Sequence, residues 1–176
     1  MGANIKSVFD LQQSDNVLQT ITEEGAAIED SDVYHSHLRT PVMADGDKVE
    51  MYIKVPAATV HTHLVAQFTG ELAAKASIRE SCTVSASGSA LNVLNANRNE
   101  GDSSTISVRS SPTLTASGTR LDILDFGGGK KGESGGGAGS EFGWILRYGT
   151  IYILRITSAA GSNEGSIRAT FRDHAA

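Results

Sequence analysis

The side chains best able to do chemistry come as two His-x-His pairs, His35/His37 and His61/His63. On a strand, residues i and i+2 share a face, so each pair can offer two imidazoles to one metal ion. A metal site of the cupin type also needs a carboxylate three or four residues after such a pair. After His63 those positions hold Gln67 and Phe68, and the first acid is Glu71. Val55 stands where the glycine six residues before His61 would be. A four-histidine site across strands stays open, but strand-surface or interface histidines are the preferred reading.

The remaining candidates are weaker. Cys82 is the only cysteine, which excludes an intrachain disulfide. In "SIRESCTV" it alternates with polar neighbours and has no adjacent base, so it reads as a half-buried strand thiol. "GGGKKGESGG" imitates a phosphate loop, yet Glu133 follows Gly132 where a P-loop requires Lys and then Ser or Thr. "EDSD" (29–32) and "DGD" (45–47) lack the spacing and closing Glu of a calcium loop. The Gly-x-Ser-x-Gly match at Gly132–Gly136 lies inside a glycine-rich stretch and not between a strand and a helix, so it does not read as a nucleophile motif. The expectation is a protein that is not an enzyme, with no cofactor and no metal.

Composition narrows the class. A net charge of −5, with Lys130-Lys131 as the only basic doublet, argues against a direct grip on nucleic acid. Nineteen glycines, three prolines and 6% aromatic content suit a thin sandwich with many turns. At 176 residues the chain is long enough for one domain with a real core. "MGANIKSVFD" has no apolar run fit for a signal peptide, and Lys6 breaks the myristoylation pattern. No stretch approaches the length of a membrane span. A soluble chain assembled in a reducing cytoplasm is expected, with no membrane partner.

The elements that would position these residues are strands. Residues 1–20 are polar with scattered Ile5, Val8, Phe9 and Leu11, and form a terminal arm, either helical or extended. From Ile21 the pattern turns to period two, so residues 21–176 are taken as one β-domain. "DKVEMYIKVP" alternates Val49, Met51, Ile53 and Val55 against Glu50, Tyr52 and Lys54, then stops at Pro56. "TVHTHLVAQFTGEL" is a further strand, and "IRATFRDH" the final one. "SASGSALNVLN" (85–95) and "TASGTRLDILD" (115–125) repeat each other: a Ser-Gly turn followed by a strand. Residues 127–141, "GGGKKGESGGGAGSE", carry too little apolar surface to fold alone and are expected to be a mobile loop. About eight strands at short spacing predict an all-β, single-domain β-sandwich of jelly-roll type.

One stretch poses a question. "EFGWILRYGTIYILRITS" (141–158) holds four of the ten aromatic residues and reads as a hairpin, with Trp144 on one arm and Tyr152 on the other. Tyr152, Leu154 and Ile156 point to one face of its second strand, Ile151 and Ile153 to the other. A strand apolar on both faces needs two covers, either from its own chain or from another.

The loop "LNANRNEGDSST" clusters Asn95, Asn97 and Arg98 directly after a strand, where amides can cap backbone groups and Arg98 can brace a carboxylate. Taken in order, "VP…VHTHLVAQF", this Asn-x-Asn-Arg loop, "SPTLTASGT", the Gly-Gly loop, "EFGWILR" and "FRDH" resemble a group of tailed-bacteriophage head decoration, or cement, proteins. The likeness covers about Ile21 to His174. It departs from the group's pattern where Phe142-Gly143 separate Glu141 from Trp144, where Arg147 replaces Lys and Asp173 replaces Glu, and where Gly25 replaces a histidine.

The resemblance implies a jelly-roll-like sandwich, commonly a homotrimer, bound to the major capsid protein on the outer surface of the virion. It implies no catalysis. On this reading Ile5, Val8, Phe9 and Leu11 of the arm, and Ile151 and Ile153 of the doubly apolar strand, are the candidate capsid or subunit contacts. The alternatives are a carbohydrate-binding jelly-roll module of a tail fibre and a cupin-like metal-binding protein.

Overall fold

The computed structural model describes residues 32–57, 60–99, 103–126, 137–139 and 143–175. Within them the chain is all-β, a sandwich of antiparallel sheets with no helix. The arm at 1–20, with Ile5, Val8, Phe9 and Leu11, and the boundary drawn at Ile21 lie outside the described residues; the first described strand starts at Val33.

The first sheet is built on three long strands, β1 (Val33–Arg39), β3 (Val60–Gly70) and β14 (Gly165–Ala175), with β14 in the middle. The short β7 (Leu94–Asn95) pairs with β1. On the far edge of β3 lie β11 (Gly137–Gly139) and β12 (Trp144–Ile145). The second sheet runs β10 (Thr119–Phe126), β4 (Ala74–Glu80), β13 (Ile151–Ser158), β2 (Lys48–Lys54), β8 (Ser107–Ser110) and β6 (Ser89–Ala90). Period-two alternation explains the core between them. Leu64, Ala66, Phe68, Ile167, Ala169 and Phe171 from the first sheet meet Met51, Ile53, Ile78, Tyr152, Leu154 and Ile156 from the second, all at most 2% exposed. Fully buried Asn163 ties one end together, accepting from Leu72 N at 2.9 Å and donating to Ala73 O and the Ser158 hydroxyl.

A third layer answers the question of the doubly apolar strand. β5 (Thr83–Ala86) and β9 (Thr113–Ala116) pair into a two-stranded ribbon. Val84 and Leu114 of this ribbon pack on Tyr52, Cys82 and Ile153, which form a second, smaller core with Ile151. Ile153 is fully buried by its own chain. The reading of Ile153 as a subunit or capsid contact is therefore corrected, and Ile151 is half-buried beside it. The cover comes from two separate segments upstream, at Val84 and at Leu114, which strand periodicity alone could not locate.

The internal repeat builds this layer. It extends further back than its Ser-Gly core, pairing Ser77, Arg79, Ser81 and Thr83 with Ser107, Arg109, Ser111 and Thr113. Each copy leaves its strand through a serine at positive φ, Ser81 at 56° and Ser111 at 55°, and returns through Gly88 at 84° or Gly118 at 60°. Any Cβ at Gly88 would collide with the Ser110 carbonyl, and at Gly118 with the Glu80 carbonyl. The register Thr83↔Ala116, Val84↔Leu114, Ala86↔Thr113 maps onto itself when the copies are exchanged, so the two excursions are related by a local pseudo-twofold axis. Arg79 donates to Ser117 O at 3.2 Å, and its counterpart Arg109 to Gly88 O at 3.1 Å.

Two further expectations are corrected. Trp144 and Tyr152 do not form a hairpin. β12 pairs with β3 of the first sheet (Trp144↔Leu64), whereas β13 pairs with β2 and β4 of the second. The turn at Tyr148–Gly149 carries the chain from one sheet to the other, held by Gly149 N donating to Pro56 O and Arg147 N donating to the Tyr152 hydroxyl at 2.8 Å. Gly137–Gly139, expected within a mobile loop, pair with Gln67–Thr69 as β11. Glycines contribute backbone donors and acceptors to a free edge without any side-chain signal.

Candidate functional site

The solvent-facing side of the first sheet concentrates the polar chemistry of the described chain. Because Ile167, Ala169 and Phe171 face the core, Arg168, Thr170 and Arg172 of β14 must face outward. The register sets three rows across β1, β14 and β3: His37–Arg168–Gln67, His35–Thr170–Val65 and Val33–Arg172–His63. His35 Nδ1 lies 3.1 Å from the Thr170 hydroxyl. All of these residues except His37 line a concavity of about 510 Å³. A second recess of about 380 Å³, lined by His37, Leu91, Leu94 and Arg168, continues it past the β1 edge. No outward position from 33–39, 61–69 or 166–172 is an Asp or Glu.

The four histidines are not gathered at one point. β14 separates β1 from β3, so His35 and His63 sit about 10 Å apart in strand spacing. His61 turns instead to Tyr148, whose hydroxyl is 3.1 Å from its Nδ1. Among the described residues no group of three or more metal-ligating side chains forms.

Other residues singled out by sequence serve the scaffold. Asn95 is buried and its Oδ1 accepts from Asn97 N at 2.8 Å; Asn97 Oδ1 in turn accepts from Asn99 N at 3.1 Å, giving two successive side-chain-capped turns. Arg98 is exposed and pairs with no described carboxylate, so the bracing role read for it is absent there. Asp173 points inward, accepting from Thr62 at 2.7 Å and from Ser104 at 3.4 Å, and so pins the segment after the Asn loop. Burial pushes the Cys82 thiol up, against a smaller opposing pull from Arg79 and Arg155, and the thiol donates to Ser117 O at 3.3 Å. A buried, protonated thiol with a satisfied donor is a poor nucleophile.

Sequence reasoning missed the outward row of arginines. Its signal was available in "IRATFRDH", where basic and apolar residues alternate, but the neighbours that complete the face come from strands over a hundred positions away. No family model matches the chain, and neither a curated protein nor a solved structure shows significant similarity to it.

Proposed function

We propose that this chain is a capsid decoration protein of a tailed bacteriophage, a non-catalytic virion component that binds the major capsid protein on the outer head surface. The observation that carries the reading is the ordered set of motifs along the chain, which resembles that group from the Val55-Pro56 strand end to Asp173-His174. The strand order supports it. β12–β3–β14–β1 faces β10–β4–β13–β2, and among these eight strands the chain changes sheet at every step except β4 to β10. We read that order as a jelly roll, an arrangement used in viral capsids. The function needs no reaction. Attachment free energy repeated over many copies holds capsid joints against the pressure of packaged DNA, and self-association as a homotrimer would multiply each contact.

The tail-fibre lectin reading shares the sandwich but calls for exposed aromatic platforms. Among the side chains described, Tyr148 is the only exposed aromatic. The test is to mix the purified protein with capsids that lack it and follow co-sedimentation and cryo-electron microscopy. Saturable density on the outer capsid surface is the expected result. Failure to bind such capsids, or selective retention on a glycan array, would overturn the reading.

A further inference from the structure

The outward face of the first sheet is cationic on a chain whose net charge is −5. Arg168, Arg172, His35, His37 and His63 occupy three adjacent strands with no carboxylate among the outward positions between them. The acidic residues of the chain concentrate elsewhere in the sequence. Residues 7–31 contain Asp10, Asp15, Glu23, Glu24, Glu29 and Asp30 and no Lys or Arg, so this one segment carries more negative charge than the whole chain does net. It joins the described structure beside that face. Asp32 O accepts from Asp173 N at 3.0 Å, and the next residue, Val33, stands in the row Val33–Arg172–His63.

We infer that the cationic face of the first sheet is the docking surface for the chain's own acidic segment, residues 7–31, with Glu23, Glu24, Glu29 and Asp30 set against Arg168, Arg172 and His63. The reach is sufficient. The acids nearest the exit are two to nine residues from Asp32, which allows up to roughly 30 Å of extended chain. Crossing the three strands takes about 10 Å, and Arg172 to Arg168 spans about 13 Å along β14. Covalent attachment places the segment at millimolar effective concentration over the face, which favours it over a free partner of equal charge. The same segment repels polyanions, so nucleic acid is a poor rival occupant. This inference is independent of the capsid reading. It would determine where the apolar tip with Val8 and Phe9 emerges, whatever that tip meets.

The test uses the full-length protein, ¹⁵N-labelled, with a nitroxide on Ala27→Cys; wild type treated with the same reagent controls for labelling of buried Cys82. In low salt, about 20 mM, the amide signals of residues 63–67 and 168–172 should lose at least about half their intensity, and about 0.5 M NaCl should restore them. Arg168→Glu, whose side chain is exposed, and the separate variant Glu23→Lys/Glu24→Lys/Glu29→Lys should each restore the signals too, while the spectrum itself reports that the fold is kept. Mixing spin-labelled unenriched chain with unlabelled ¹⁵N chain should give no broadening. Full intensity at low salt, broadening indifferent to salt and charge reversal, or broadening that appears in the mixed sample would each overturn the proposal.

Discussion

Val84 and Leu114 face each other across the β5–β9 ribbon and occupy equivalent positions in the two copies of the internal repeat. Both rest on the cluster of Tyr52, Cys82 and Ile153, so a pair of similar sequences jointly forms the lid of the smaller core. Chemical denaturation should rank the consequences. Ile153→Ala empties a fully buried site and should cost about 2–5 kcal/mol. Val84→Ala and Leu114→Ala, half-buried, should cost less, on the order of 1 kcal/mol each. The double variant should depart from additivity by about 0.5 kcal/mol or more, because the two side chains are cross-strand partners over one shared cluster.

Gly118 and Gly46 both adopt positive φ, at 60° and 82°, but in different surroundings. A Cβ at Gly46 meets nothing within 4 Å, while at Gly118 it strikes the Glu80 carbonyl oxygen. Gly46→Ala should therefore cost only the conformational term, about 1 kcal/mol. Gly118→Ala should cost well over that, on the order of 3 kcal/mol, or prevent folding. Thermal melts of the two variants side by side check the difference. Equal losses would mean the ribbon corner relaxes freely.

Alkaline pH should weaken the fold through three groups. Burial pushes up the Cys82 thiol and the Tyr52 and Tyr152 hydroxyls, with smaller opposing pulls from Arg79 and Arg155, from Arg109, and from the hydrogen bond donated by Arg147 N, respectively. Each is an acid whose folded pKa lies above its unfolded value, so the unfolded chain releases protons first as pH rises. Their contribution is intact below about pH 8, shrinks from the ordinary thiol range near 8.5 and the phenol range near 10 upward, and is gone above the raised values. Denaturant midpoints measured between pH 7 and pH 11 should fall across the upper part of that window. Cys82 should also resist alkylation in the native state at pH 8, and react at once in denaturant.

The alternation of Tyr152, Leu154 and Ile156 against Ile151 and Ile153 was legible because a strand's period is a local property. What covers Ile153 was not, since the lid depends on two excursions that only the fold brings together. Trp144 and Tyr152 read as a hairpin because a Gly149 turn lies between them. The actual pairing was decided by the open edge of β3, which gave Trp144 a partner in Leu64. β11 was invisible for the opposite reason, as Gly137–Gly139 pair through backbone alone. The alternation that turns Arg168 and Arg172 outward could be read from β14, but not that His35 and His63 flank it.

Removing residues 1–19 tests the apolar tip separately from the sandwich. The chain starting at Thr20 should keep a β-type circular dichroism spectrum, since every strand and core residue described lies at Val33 or later. It should bind capsids lacking the protein more weakly, as Ile5, Val8, Phe9 and Leu11 each forgo up to about 1.5–3 kcal/mol of burial before ordering entropy. Undiminished decoration would place the anchoring surface on the sandwich instead.

The position of β14 has a consequence for how the chain is made. It is the central strand of the first sheet, flanked by β3 and β1, yet it follows every other described strand in sequence. During synthesis the second sheet can pair from strands already released, whereas β1 and β3 wait with facing edges unpaired until residues 165–175 clear the ribosome. For that interval Leu64, Phe68 and Tyr34 lack the strand that lies beside them in the finished sheet. Crowded nascent chains at this stage offer one another the same edge that β14 is meant to fill.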